Sequence, residues 1–381
     1  MLTYDCTSLG GSSGSPLIRL KDGRVVGLHF SGLYGKWNTA VSANSIRALL
    51  RGERPVSVLL QAGREEAKDG SHPARYFEGR EGFNTEFLKE NPEAHAVRTP
   101  WPGLPEPLAA ELAAPSDNPP EPNELRYTHF GVKYSARLKL PLITAVNIDG
   151  EAAVRIKRGD DKWFADERIP TNVQLGADNF KDGEIDRGHM VRREDPNWGD
   201  SKEAQRANDD TFHYVNAAAQ HSRLNQGKTL WQGLENYILD NARTHGFKAC
   251  VFTGPILRDK EDDEEEIVID GAIAPLEFWK VVATLDADDK ALHATAYLLT
   301  QGQFIRKLLE KRSRHEALEG VVLGPYRTFQ VAIADLAEAT GYNFSAYIGA
   351  DPLTKMEAGQ EAIKIGEPLI LPIDEVMDII L

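Results

Sequence analysis

Prolines set the first limit on what this chain can fold into. Between about residue 57 and residue 123 they recur in runs such as Pro100-Trp101-Pro102-Gly103-Leu104-Pro105 and Asn118-Pro119-Pro120-Glu121-Pro122. A proline lacks the backbone N–H and fixes φ, so neither a helix interior nor a central strand tolerates that density. The stretch reads as a Pro/Glu-rich linker or docking strap rather than a domain. It divides the 381 residues into a short Gly/Ser-rich front, 1–56, and a long body from about 124 to 356, followed by a tail, 357–381. Apolar islands inside the strap (Tyr76, Phe77, Phe83, Phe87, Leu88) suggest that parts of it dock on a neighbour.

The body mixes strand and helix signals. Leu142 to Ile148 and Cys250 to Gly254 are β-branched runs stopped by Gly or Asp, hence strands. Trp231 to Arg243 repeats apolar residues at helical spacing with a stop at Gly246, and Phe329 to Ala339 reads as a strand and then a helix ending at Gly341. The class is α+β. With 41% hydrophobic residues and no apolar stretch near the length of about 18 that a membrane span needs, no transmembrane segment is expected. The N-terminus has neither the basic region nor the apolar core of a signal peptide, and Cys6 and Cys250 are too few for a disulfide framework. A cytoplasmic location is therefore expected. The net charge of −14 counts against a high-affinity nucleic-acid-binding module, but it allows an enzyme that gathers a few arginines in one cleft. The acidic run Glu261 to Glu266 reads as a solvated loop tip, or else as a flap that limits access. The basic stretch Arg306 to His315 reads as a solvated helix face, or else as a groove wall.

The chemistry concentrates in Asp186-Arg187-Gly188-His189 at the end of one strand, followed by a second β-like run, Thr211 to Gln220, and then by Asn225-Gln226-Gly227 and Trp231 to Glu235, where a helix opens. Phosphodiester hydrolysis needs a base to deprotonate water and a cation to neutralise charge on the phosphate and the leaving oxygen. A histidine titrates near neutrality and suits the first task. An amide oxygen suits Mg²⁺, which keeps most of its waters. Arg187 can pair with phosphate oxygens through its planar fork, and Gly188 lets the backbone approach closely or turn sharply.

In this order the segments resemble the DNA/RNA non-specific endonucleases, the ββα-metal nucleases whose signature is Asp-Arg-Gly-His. Cys250 to Pro255, Ala274 to Val281 and Phe329 to Phe344 are similar to later parts of that family, so the resemblance covers roughly residues 124 to 354. It implies a central antiparallel sheet flanked by helices and a sequence-non-specific endonuclease acting on DNA and RNA with Mg²⁺, for which Mn²⁺ can substitute. Carried over by position, His189 matches the general base, Asn225 the metal ligand and Arg187 the phosphate-contacting arginine. Glu235 matches the carboxylate that holds metal-bound water, and Asn216 and Gln220 match polar residues lining the site. The chain departs from the family pattern in two extra residues between Gly227 and Trp231, ahead of Glu235, and in Ala219, which replaces a usual proline. Arg158, Arg168, Arg192 and Arg193 are candidate phosphate contacts.

The front carries a second signature, Gly10-Gly11-Ser12-Ser13-Gly14-Ser15-Pro16, followed by Val25 to His29. It resembles the C-terminal part of trypsin-like serine peptidases, which implies a small all-β remnant with Ser13 at the nucleophile position and Gly11 at an oxyanion donor. The His and Asp that precede the serine in that family are absent here, and a serine without a base is not activated. The joint architecture suggests a proteolytically regulated antiviral defence effector, with an activating protease or a complementary peptidase half as partner, and it allows homo-oligomers. Two other readings stand beside the nuclease: a split peptidase completed by another chain, and a catalytically dead nuclease serving as a scaffold.

Overall fold

The structure, a computed structural model, describes residues 2–4, 16–19, 24–33, 37–43, 70–89, 95–157, 159, 161–181, 183–222, 238–239, 242–257, 267–286, 289–301, 328–354 and 370–373. It divides into two compact units, Met1–Lys68 and Asp69–Leu381. In the first, β1 (Leu2–Tyr4), β2 (Pro16–Arg19), β3 (Arg24–Leu33) and β4 (Trp37–Ser42) form an antiparallel sheet in the order β1-β4-β3-β2. Gly11 and Ser13 lie outside the described residues.

The second unit opens with β5 (Gly70–His72) in the strap. It continues through β6 (Glu124–Tyr127), β7 (Phe130–Ser135), β8 (Leu140–Asp149), β9 (Phe164–Asp166), β10 (Ile185–His189), β11 (Ala217–His221) and β12 (Lys248–Ile256). There follow the hairpin β13 (Val268–Ile269) and β14 (Ala272–Ile273), then β15 (Glu277–Leu285), β16 (Leu292–Thr300), β17 (Thr328–Val331) and β18 (Ile370–Ile373). Eight of these strands make one fully antiparallel sheet, ordered β18-β17-β16-β15-β12-β8-β7-β6. The described helices are short: α1 (Glu106–Ala109), α2 (Ser201–Asp210), α3 (Ile333–Thr340) and α4 (Ser345–Ile348). Gly341, at φ +69, closes α3 where a left-handed residue is needed to cap the last carbonyls.

The central strands are near-continuous apolar runs because both faces of the sheet are covered. Alternation sorts their side chains. Leu142, Val146 and Ile148 of β8, Ala249 and Val251 of β12, and Phe278 and Val282 of β15 enter one core with Met190, Val191, Val215 and Ala218. Ile143, Ala145, Cys250, Phe252, Trp279 and Val281 enter a second core on the opposite face, against Ile333, Leu336, Phe344 and Tyr347. A third cluster, built on Trp163, Phe180, Ile185, Phe212 and Tyr214, lies beyond β10 and β11. The sequence-expected class and central antiparallel sheet are what the described residues show.

The strap is part of this packing. Phe77 enters the first core, while Phe83, Phe87 and Leu88 enter the second, so residues 77–83 pass around the β6 edge of the sheet. There Gly82 N–H donates to the Tyr127 carbonyl at 3.0 Å, and Phe83 N–H donates to the buried Glu124 carboxylate at 2.8 Å. Covering an edge strand in this way removes a surface open to unwanted pairing.

Candidate active site

The motif strand β10 pairs antiparallel with β11, placing Asp186 opposite Gln220, Arg187 opposite Ala219, Gly188 opposite Ala218 and His189 opposite Ala217. Strand alternation puts Ile185, Arg187 and His189 on one face and Asp186 and Gly188 on the other. The packing agrees: Ile185, Ala217 and Ala219 belong to the third cluster, whereas Ala218 belongs to the core under the large sheet. The segment before β11 expected to be extended is instead a turn of 3₁₀ helix, Tyr214–Asn216, and only residues 217–221 are strand.

Rings enclose the face that carries Arg187 and His189. The Trp163 ring centroid is 4.7 Å from that of His189, and Phe212 meets His189 edge-on at 5.0 Å and 87°. The Arg187 guanidinium carbon lies 5.6 Å from the Phe180 centroid and 5.7 Å from that of Tyr214. Trp163 touches both Phe212 and Tyr214, at 5.5 and 5.8 Å, so these rings form one wall. Among the described residues Arg187 Nε is buried without a hydrogen-bond partner. This guanidinium is held by ring faces, an arrangement that leaves its fork suited to an incoming oxyanion.

Gly188 is required by close approach. A Cβ there would lie 2.1 Å from Cδ of Gln220, whose side chain covers the glycine. Gln220 is buried and on the face turned away from His189; the structure does not bring these two together. Asn216 is also buried, and its amide is spent on backbone. Its Oδ1 accepts from Val191 N–H at 2.8 Å, and its Nδ2 donates to the carbonyls of Val191 and Thr211 at 3.0 Å each. With Met190 N–H donating to the Asn216 carbonyl at 2.9 Å, this clamps the two residues that follow His189.

The arginines divide. Arg193 donates to Asn208 Oδ1 at 2.9 Å, to the Ile156 carbonyl at 3.3 Å and to Glu194 at 2.6 Å, and Glu194 also pairs with Arg243 at 3.2 Å. Arg192 is half-buried beside it. Arg168 is a correction. Its side chain is fully buried, forks onto Asp166 at 2.7–3.2 Å, and stacks over Phe77 at 3.9 Å. No phosphate reaches a guanidinium so enclosed. Burial opposes ionisation of Asp166, but the charge and hydrogen bonds of Arg168 outweigh it and hold the carboxyl below its ordinary value. Arg158, Asn225, Glu235, the acidic run 261–266 and the basic stretch 306–315 lie outside the described residues. Among the described residues no three His, Cys, Asp or Glu side chains are grouped to hold a metal, and no helix is long and apolar enough to cross a membrane.

The aromatic wall escaped sequence reasoning. Trp163 and Phe180 are not adjacent to the motif in sequence, and only the neighbouring run Thr211 to Gln220 drew attention to Phe212 and Tyr214.

The strand pair lies within a stretch that matches a known family. The model of the DNA/RNA non-specific endonuclease family matches residues 109–351. The chain belongs to that family. The nuclease family match begins after most of the strap. A relative from Sinorhizobium fredii (strain NBRC 101917 / NGR234), the uncharacterized protein y4fB, is 38% identical over 293 residues. That alignment covers 72% of this chain and 40% of the relative, so the chain spans well under half of the relative's length. A solved structure of the EndoG/EndoGI complex, described as showing the mechanism of EndoG inhibition, is similar at 21% identity. It has a TM-score of 0.44 and covers 58% of this chain and 84% of that one.

Proposed function

We propose that this nuclease-family chain is a divalent-metal-dependent, sequence-non-specific endonuclease hydrolysing DNA and RNA, with His189 as its general base. The observation that carries the reading is the placement of Arg187 and His189 side by side on one face of β10, against a wall of aromatic rings. In this reading the His189 imidazole takes the proton of the attacking water. Arg187 offers two N–H groups to the phosphate oxygens on which negative charge builds. The rings exclude bulk water from that face, which strengthens both interactions. Asn216 keeps the His189 strand end from drifting by clamping Met190 and Val191. Asn225 is the proposed ligand of the metal and Glu235 the proposed partner of its waters. A divalent cation held there, Mg²⁺ in this reading, would neutralise charge on the phosphate and the leaving oxygen. Family membership supports nucleic acid as the substrate class. The four-stranded antiparallel sheet of the first unit is compatible with a trypsin-like remnant, which we propose plays no part in the chemistry.

Incubating plasmid DNA and RNA with the purified chain, with and without EDTA, tests the activity and the metal requirement together. His189→Ala is expected to lower cleavage by about 10²–10⁴-fold with the fold intact. A variant keeping more than roughly a tenth of the wild-type rate removes His189 from the role.

A further inference from the structure

Phe212 is tied in two directions. Towards the motif, its ring meets His189 edge-on. Its carbonyl accepts from Phe164 N–H at 3.0 Å, which fixes the neighbouring Trp163, the other ring against His189. Away from the motif, the residues on either side of Phe212 are gripped by the strap. Asp210, fully buried, takes a two-point ion pair from Arg80: Nε to Oδ2 at 3.1 Å and Nη2 to Oδ1 at 3.2 Å. His213, also fully buried, meets His72, with Nδ1 of His72 at 2.9 Å from its Nε2. His213 Nδ1 faces the Asp210 carbonyl at 2.8 Å and donates to it, so Nε2 accepts and His72 donates. The β5 backbone runs parallel to β9 with His72 opposite Asp166, and the His72 ring stacks between Tyr76 at 3.8 Å and Phe164 at 4.1 Å.

Both gripping residues lie outside residues 109–351, the stretch that matches the family. The alignment with the Sinorhizobium relative covers more of the chain than the family match does. We propose that Arg80 and His72 are positioning residues for His189: the strap holds Asp210 and His213 so that Phe212 and Trp163 fix the orientation of the His189 ring. This rests on the reading of His189 as the base. The strap is then a working part of the nuclease body, and a chain trimmed to the family-matched residues lacks the Arg80 and His72 contacts behind the aromatic wall. Removing Arg80 strands the Asp210 carboxylate in the interior, where among the described residues the Thr128 N–H and hydroxyl, at 3.0 and 2.8 Å, are left to satisfy it.

The test uses the full chain with Arg80→Ala, Arg80→Lys and His72→Phe, the last keeping the ring stack while deleting the N–H to His213. For each variant, plasmid cleavage is measured at saturating Mg²⁺, well below its melting temperature. The titration of His189 is followed separately by NMR without metal, its resonance assigned with His189→Ala. Arg80→Ala is expected to lower kcat by about 10- to 100-fold at little-changed KM. It should also move the His189 titration midpoint by about half a pH unit or more. Arg80→Lys, which lacks the fork, recovers little, and a charge swap combining Arg80→Asp with Asp210→Arg recovers part. His72→Phe gives a smaller change in the same direction. Loss confined to melting temperature or to KM, or an unmoved His189 titration in both Arg80→Ala and His72→Phe, overturns the inference. An inactive wild type would overturn the nuclease reading instead, and the NMR outcome would still report on the strap.

Discussion

Gly188 shows how much of a motif can be packing. Its neighbours in the sequence carry the proposed chemistry, yet its own requirement comes from Gln220, whose side chain occupies the space a Cβ would need. Gly188→Ala is expected to destabilise the fold by about 1–3 kcal/mol through overpacking. Adding Gln220→Ala should recover much of that loss, read as midpoint shifts in urea unfolding. Equal stabilities of the single and double variants would show that the clash is relieved elsewhere. The sequence made the motif legible because four residues in a fixed order carry joint information. It gave no such warning at Arg168. An isolated arginine reads as a phosphate ligand until Asp166, Phe77 and Tyr127 are seen to close around it. Those partners come from three separate elements, and no local pattern joins them.

Elements were legible where they obey one period. The β8, β12 and β17 runs and the glycine stop of α3 appear where their patterns put them. The turn before β11 was misread because Phe212 to Asn216 is apolar enough to pass for a strand. Its Asn216 side chain captures backbone groups that a strand would have paired with its neighbour. The strap was harder still, because its composition describes a linker while its few large apolar residues describe core. Leu88 is fully buried against the second core. Leu88→Ala is therefore expected to cost about 2–5 kcal/mol, measured by chemical denaturation. A substitution in a true linker would stay within about 0.5 kcal/mol, and that result would return the strap to the status of a tether.

For the whole molecule, buried Glu124 and partly buried His72 give stability opposing slopes with pH. Burial raises the Glu124 carboxyl to about 7, only partly offset by its hydrogen bond from Phe83 N–H. The folded state therefore holds an extra proton between about 4.5 and 7. That contribution is complete below the lower value and is lost as pH rises through the upper one. His72 runs the other way. Burial first, and then His213, lower it to about 4, so folding releases a proton between 4 and the ordinary 6.5 and stability grows with pH across that window. Asp210, Asp166 and Arg80 also face this ring and modulate the effect. Glu124→Gln should remove only the first slope. Its stability relative to wild type should rise by on the order of 3 kcal/mol between pH 4.5 and values above 7. A constant difference across that range would show that Glu124 does not carry the proton.

The contact between His72 and His213 joins residues 141 apart in the chain, and it lies beside a parallel pair, β5 with β9, that brings Gly70 opposite Phe164. Contacts of that span are slow to form, because the entropy of closing so long a loop comes before any reward from packing. Antiparallel neighbours such as β6, β7 and β8 follow one another directly and can assemble first. The wall behind His189 is therefore expected to be among the last parts of the second unit to close during folding. In a chain emerging from the ribosome, the strap must wait for Asp210 and His213 to be made before it can grip them. A nuclease assembled in that order has its sheet in place before His189, its proposed base, is fixed.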